Sequence, residues 1–450
     1  MHLEELRGRR VAVWGTAREA IAAIHAIAPI GPADLVAVQD KATFLATPWE
    51  GPLADLAPLH QGEAAHAALR QAEVVVRSPA IGESHPWIIE LRDQGTRITG
   101  GTALWMAEHA AKTIAVTGSK GKSTTTSLIS HLLNETGRPN TLGGNIGVAA
   151  LDLPESDRYV LELSMYQCAD LDDSPRIAAL TALMPEHLDW CRSHAAEEYY
   201  QHKLNLIAYQ PEHVVYNADE PVLAAHVTVE GALGVGRPDT FHVTDGAVYL
   251  ADEPLFPRTA LPLVGRHNAG NLCVALGVLQ FAGVDCVAEK AAIAAALGTF
   301  QPLEHRLTPI ADPSGITFVD DSLSTIPQSA IHAIEAYSGR PLAVIVGGED
   351  RGVDYAPLRD FLAAHAVVAT LIGIPDSGPR ILDVVKDVPT VTAVTADDLP
   401  HAVRLGREIV PSGGVVLLSP AAPSYGRFDN YEHRSRVFRQ AVEETRHRED

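Results

Sequence analysis

A glycine-bounded loop, Val116-Thr-Gly-Ser-Lys-Gly-Lys-Ser-Thr-Thr-Thr126, sits between the apolar run Ile114, Ala115, Val116 and the helix-like stretch Ser127 to Leu133. Strand, tight turn and helix in that order call for a parallel α/β layer, because the helix has to pack back onto the sheet that the strand joins. Gly118 and Gly121 let the backbone approach phosphate oxygens, and the free N–H groups of the following helix point at the same anion. Lys122 supplies a point charge and Ser123 a hydroxyl for magnesium. A chance glycine turn would leave both residues unexplained, so nucleotide binding is expected. The Gly-x-x-Gly-Lys-Ser spacing is two residues shorter than the common phosphate loop, and a generic nucleotidase template fits it imperfectly.

A chain of 450 residues is too long for one core, and two to four domains are expected. With 46% hydrophobic and 20% charged residues, it has the composition of an ordinary folded protein. A formal charge of -21 argues against nonspecific nucleic-acid binding but leaves room for a local basic phosphate site. Four cysteines (Cys168, Cys191, Cys273, Cys286) form no C-x-x-C pair, which suits a reducing compartment. No apolar span of membrane length and no signal-like segment is evident, so a soluble cytoplasmic protein without membrane insertion is expected.

Short apolar runs alternate with helical stretches throughout. Val11 to Trp14, Leu35 to Val38, Val74 to Val76 and Arg97 to Thr99 mark a first α/β unit over residues 1–109. Its first turn, Gly15-Thr-Ala-Arg-Glu-Ala20, lacks the dinucleotide fingerprint, which disfavours a nicotinamide cofactor. A second unit over 110–301 carries the phosphate loop and strands at Tyr159 to Leu163 and Ala179 to Leu183, and closes on the alanine-rich helix Ala288 to Leu297. A third, over 302–450, shows four apolar strands at Ile316 to Val319, Leu342 to Val346, Ala369 to Ile372 and Val415 to Leu418, the pattern of a doubly wound parallel sheet.

Polar residues cluster just after these strands, where open α/β sheets bind ligands. Glu162 ends a strand that reads as buried; an acid there is costly unless it is paired or holds a cation, so magnesium is favoured over a purely structural role. His187 follows the next strand. With Cys191 and His194 it suggests zinc, but three ligands at that spacing match no common closed zinc arrangement. Lys203 lies on a helical pattern and is either a solvated surface lysine or a site lysine able to lose its proton and become a carbamate. Asn217-Ala-Asp-Glu220 has alanine where a guanine reader has lysine. Asn271, near a helix start, is either a cap or a nucleobase contact. Arg306 suits bidentate phosphate or carboxylate binding and Asp321 a ribose or charge partner.

In order, these segments resemble the Mur ligase family, in particular its branch adding glutamate to UDP-N-acetylmuramoyl-L-alanine. The resemblance spans most of the chain. It rests on Thr117-Gly-Ser-Lys-Gly-Lys-Ser-Thr124, Gly143-Gly-Asn-Ile-Gly147, Glu162-Leu-Ser164, Pro185-Glu-His-Leu-Asp189, Lys203, Gly265-Arg-His-Asn268, Asn271, His305-Arg306, Asp321-Ser322, Gly347-Gly348 and Leu418-Ser-Pro-Ala421 with Ser424.

The resemblance implies three α/β domains: an N-terminal Rossmann-like unit binding the UDP-sugar, a central phosphate-loop ATPase with a mainly parallel sheet, and a C-terminal Rossmann-like doubly wound sheet binding the amino acid. It implies ATP and two magnesium ions, an acyl-phosphate intermediate, and a protein acting as a monomer. Lys122, His187 and Lys203 are then catalytic. Gly118, Ser119, Lys120, Gly121, Lys122, Ser123, Thr124, Asn271, Arg306 and Asp321 bind nucleotide, and Ser123, Glu162, His187 and a carbamylated Lys203 hold metal. Asn145, Ser164, Thr325, Arg351, Ser424 and Tyr431 contact the substrates.

Two positions depart from the D-glutamate-adding pattern, Asp-Ser-Lys-Ala-Thr-Asn. Here the segment is Asp321-Ser-Leu-Ser-Thr-Ile-Pro327, so Leu323 replaces one lysine, and Arg351 stands for a second. A neutral side chain and a forked cation re-register a substrate's carboxylates, and the form is similar to the L-glutamate-adding branch. L-glutamate is therefore expected, with D-glutamate the alternative. A folylpolyglutamate-synthase-like ligase fits less well because of the separate N-terminal unit, and a regulatory nucleotide switch because of the large third unit.

Overall fold

Uninterrupted Val, Ile, Leu and Ala runs build the central strands of three mainly parallel sheets. The computed structural model describes residues 1–40, 49–186, 188, 190–263, 265–301, 307–350, 352–424 and 426–446. By internal contacts the chain divides into two compact units, Met1–Pro262 with Ala269–Phe300, and Leu263–Asn268 with Gln301–Asp450.

The first unit holds two of the parallel sheets. One contains β1 (Arg10–Trp14), β2 (Asp34–Gln39), β3 (Leu59–Gln61), β4 (Val74–Arg77) and β5 (Arg97–Gly100), ordered β3-β2-β1-β4-β5. The period of two along β1 sends Val11 and Val13 into one apolar cluster and Ala12 and Trp14 into another. The second sheet contains β6 (Thr113–Thr117), β7 (Thr141–Gly144), β8 (Tyr159–Glu162), β9 (Ile177–Leu180), β10 (His213–Asn217) and β11 (Leu233–Val235), ordered β11-β10-β9-β6-β8-β7. The strand order reverses beside β6, so the crevice at its carboxyl end is the natural ligand site.

A buried ion cluster joins these two sheets. Arg77, at the end of β4, donates through Nε and Nη2 to Asp170 at 2.9 and 2.6 Å, lies 2.6 Å from Glu83 and stacks 4.8 Å over the Trp190 ring. Removing one partner of such a buried pair typically costs about 3–5 kcal/mol.

A small antiparallel sheet, β12 (Phe241–Thr244), β13 (Ala247–Leu250) and β14 (Glu253–Pro257), follows as a meander. The second unit's sheet contains β15 (Thr308–Ala311), β16 (Thr317–Asp320), β17 (Leu342–Val346), β18 (Ala369–Gly373), β19 (Val391–Thr395) and β20 (Val415–Leu418), ordered β15-β16-β20-β17-β18-β19. It has six strands where the sequence suggested four; the extra two are the sheet's edges, and β15 runs antiparallel. Leu342, Val344 and Val346 of β17 enter one core cluster, and Ala343 and Ile345 the other.

The strand read as Ala179 to Leu183 is Ile177–Leu180 instead. Residues after Leu180 leave the ladder to grip the phosphate loop. Among the described residues no helix is long and apolar enough to cross a membrane.

Candidate functional site

The phosphate loop leaves β6 at Thr117 and enters the helix Lys122–Glu135, with Gly121 as its N-cap at φ 84°. Both loop glycines are sterically required. A Cβ on Gly118 (φ 149°) would lie 2.1 Å from Thr181 Oγ1 and 3.0 Å from the backbone N and O of Ala182. One on Gly121 would lie 2.3 Å from Asn271 Oδ1, which places Asn271 directly against the loop.

Neighbouring segments hold the loop open. Ser119 N–H donates to Ala182 O at 2.6 Å, its hydroxyl donates to Met184 O at 2.7 Å, and the same hydroxyl lies 2.8 Å from Tyr199 Oη. Thr181 Oγ1 donates to Lys120 O, and Lys122 Nζ folds back to Ser119 O at 3.1 Å. Of these anchors only the Ser119 bond uses a loop N–H; the others engage loop carbonyls and side chains, which leaves the start of the following helix to face an anion.

Lys203 projects from the helix Ala196–Leu204 into this core, only 2% exposed, with Nζ donating to Gly118 O at 2.8 Å. Burial first, and then the like charge of Lys122, push its ammonium down to about 7. A lysine so placed gives up its proton far more readily than one in water. The reading of Lys203 as a solvated helix lysine does not survive this burial.

Glu162 ends β8, beside β6 in the ladder, and is 1% exposed. Its Oε1 accepts from Asn145 Nδ2 at 2.6 Å, while Oε2 is buried with no hydrogen-bond partner. An unmatched carboxylate oxygen this deep calls for a cation, so the donor set suits a hard divalent metal. The glycine turn carrying Asn145 packs tightly here: a Cβ on Gly144 (φ 92°) would lie 2.3 Å from Glu162 O. Asn145, expected to meet substrate, therefore also orients Glu162.

Glu186 and Tyr199 take part in the site although sequence reasoning assigned neither a role. Glu186 lies 2.6 Å from Lys120. Burial would raise its carboxyl, but Lys120, Lys122 and Lys203 together hold it below the usual carboxylate range. It is the common counter-anion of the lysines around the loop. Tyr199 is buried against Ser119, and burial followed by the Glu186 charge raises its phenol, which stays neutral. The signal for both was their spacing from His187 and Lys203, meaningful only once the three segments meet.

His187, Arg306 and Arg351 lie outside the described residues. His194 uses Nδ1 locally, 3.0 Å from Leu188 O. Cys191 sits instead with Glu198 and His202, but that carboxylate already accepts the N–H groups of Arg192 and Ser193 at 2.7 Å each, stapling their loop. Ser164 caps the short helix Met165–Cys168, accepting from Gln167 N–H at 3.3 Å.

In the second unit, loops after β16, β17 and β20 form a polar rim. Asp321 Oδ2 accepts from Ser419 Oγ at 2.8 Å, and Ser424 is buried. Arg434, fully buried, donates to Ser322 Oγ, Ser322 O and Ala422 O at 3.1, 2.7 and 3.0 Å, and burial pushes its guanidinium down to about 9. Tyr431 opens the helix Tyr431–Arg446, its carbonyl accepting from Ser322 Oγ at 2.9 Å; Thr325 and Leu323 are half-buried beyond Asp321.

Residues 116–279 match the family described as Mur ligase middle domain. A UDP-N-acetylmuramoyl-L-alanine–L-glutamate ligase from Micromonospora sp. is 61% identical, covering 99% of both chains. One from Salinispora tropica is 58% identical, covering 99% of this chain and 100% of its own. The solved UDP-N-acetylmuramate–alanine ligase of Thermotoga maritima shares the fold with a TM-score of 0.61 at 19% identity, over 97% of this chain and 100% of that one. With full-length identity at this level, and with Glu162 and Lys203 buried around a matching phosphate loop, the chain belongs to the Mur ligase family.

Proposed function

We propose that this chain is an ATP-dependent amide ligase of peptidoglycan precursor synthesis that adds L-glutamate to UDP-N-acetylmuramoyl-L-alanine in the cytoplasm. The observation that carries the reading is the phosphate loop flanked by the unmatched carboxylate of Glu162 and the buried Lys203, in a chain similar end to end to ligases of that name. The three mainly parallel sheets are assigned in chain order: UDP-sugar to residues 1–109, ATP to 110–301 and glutamate to 302–450.

In this reading the helix N-terminus at Lys122, together with Lys122 and Lys120, receives the ATP phosphates, and Asn271, Arg306 and Asp321 position the nucleotide. Ser123 and Glu162 would hold one magnesium ion, and His187 and a carbamylated Lys203 the other, a pair that would supply charge neutralisation for phosphoryl transfer when bound. Lys203 suits that role because its amine is easily neutralised, and a neutral amine is the form that takes up carbon dioxide. The substrate carboxylate attacks the γ-phosphorus, ADP departs, and an acyl phosphate remains. The deprotonated amine of glutamate then attacks the acyl carbon, and the tetrahedral adduct expels phosphate to leave the amide. Asn145 and Ser164 serve the UDP-sugar side, while Thr325, Arg351, Ser424 and Tyr431 serve glutamate.

L-glutamate is preferred because of the relatives' names and because Leu323 and Arg351 replace two lysines. Assays with each enantiomer test this. Turnover with L-glutamate and little with D-glutamate is expected; turnover confined to D-glutamate overturns the stereochemical assignment.

A further inference from the structure

The second unit's rim carries a carboxylate clamp with no role in the reading above. Loops after β17, β18 and β20 are knitted by backbone bonds: Gly347 N–H to Pro420 O at 2.8 Å, Glu349 N–H to Pro423 O at 2.9 Å, and Ser377 N–H to Gly348 O at 3.0 Å. Gly348 N–H returns a bond to Ser377 Oγ at 3.1 Å. Phe428 N–H bonds Ser424 O at 3.2 Å, and Arg427 precedes Phe428 in the loop after β20. From that loop Arg427 forks onto Asp376, Nε to Oδ2 at 2.8 Å and Nη2 to Oδ1 at 3.1 Å.

Three features bear on how readily this pair can part. Asp376 is held at φ 76°, a left-handed conformation that non-glycine residues seldom adopt. The pair is exposed, 51% for Arg427 and 36% for Asp376, so parting it costs little and leaves both charges hydrated. The rim's other cations are anchored more firmly: Arg434 on backbone carbonyls, and Arg380 on Asp350, on Val353 O at 2.7 Å and over the Tyr355 ring at 4.7 Å. Among the described residues, Arg427 is held by an exchangeable carboxylate alone.

We infer that Arg427 receives a carboxylate of the incoming dicarboxylic amino acid, with Asp376 occupying the fork until that substrate arrives. A guanidinium fork matches a carboxylate's two oxygens, and an incoming one reproduces the geometry Asp376 now supplies. The inference rests on the proposed ligase reading. It makes Arg427 a specificity residue for the incoming amino acid.

Steady-state ADP release, with glutamate, ATP and UDP-sugar varied in turn, tests it. Arg427→Ala should raise the glutamate KM at least ten-fold, leave the other two KM values and the unfolding temperature unchanged, and narrow discrimination against glutamine. Arg427→Lys should recover part of the loss. Asp376→Asn, which tolerates the left-handed backbone, should lower the glutamate KM by freeing the fork. An unchanged glutamate KM in Arg427→Ala, or a rise in Asp376→Asn equal to that in Arg427→Ala, overturns the inference while wild-type turnover upholds the ligase reading. Absence of glutamate-dependent ADP release in the wild type overturns both.

Discussion

Gly118→Ala isolates what the phosphate loop demands of its backbone. The added Cβ would meet Thr181 Oγ1 at 2.1 Å and, less avoidably, the backbone N and O of Ala182 at 3.0 Å, while the residue keeps φ 149°. Thr181 can rotate; Ala182 cannot withdraw without breaking the 2.6 Å bond from Ser119 N–H that holds the loop open. Overpacking of this kind costs about 1–3 kcal/mol and a disfavoured backbone region another 1–3 kcal/mol, so the sum is about 2–6 kcal/mol. Gly137→Ala is the control: φ is 77° there but nothing lies within 4 Å of the new Cβ, leaving only the left-handed backbone term of about 1–2 kcal/mol. Nucleotide binding by calorimetry and thermal unfolding are the assays. If 2 kcal/mol of the Gly118→Ala penalty falls on the bound loop, ATP affinity drops about 30-fold, whereas Gly137→Ala leaves affinity unchanged. A Gly118→Ala protein with wild-type affinity and unfolding temperature would refute the close-approach argument.

Lys203→Ala is expected to abolish ligation, with short added carboxylates restoring part of it; full activity in the variant removes Lys203 from the chemistry. Glu162→Gln keeps an acceptor for Asn145 but removes the unmatched charge, so the magnesium concentration for half-maximal activity should rise at least ten-fold, measured by metal titration. Asp312 should dominate acid sensitivity in the second unit. Bonds from Arg407, together with Ser314 and Arg446, outweigh burial and hold its carboxyl well below the usual range. A folded-state pKa depressed in this way gives stability that is complete above the unfolded value of about 3.9 and is lost as pH falls through the folded one. Asp312→Ala should therefore cost about 3–5 kcal/mol in urea unfolding at pH 7, and progressively less below about pH 4; a pH-independent difference would contradict the ion-pair account.

Strands buried on both faces were legible because nothing dilutes their apolar runs: Leu342 to Val346 is one element in sequence and structure alike. Strands with one wet face were not. β12 to β14 mix buried and half-exposed positions and include Pro254 and Pro257, and β15 and β19 are edges whose side chains are mostly half-buried or exposed. The misplaced end of β9 has a functional cause, since Thr181 and Ala182 look like strand but bond to the phosphate loop. At the site, glycine spacing announced the loop, and the position of Glu162 after an apolar run announced an acid in a crevice. The role of Glu186 was not legible because it comes from Lys120, Lys122 and Lys203 converging on it from separate segments, a tertiary property. The Arg427 fork on Asp376 joins residues 51 positions apart and has no local signature.

The most direct test of the central claim is ADP release by the purified protein with ATP and magnesium, adding UDP-N-acetylmuramoyl-L-alanine and L-glutamate separately and together. ADP formation is expected only with both present, in step with a product carrying one glutamate by mass. ADP released at the same rate without either substrate would contradict the ligase assignment and return the loop to a simple nucleotide switch.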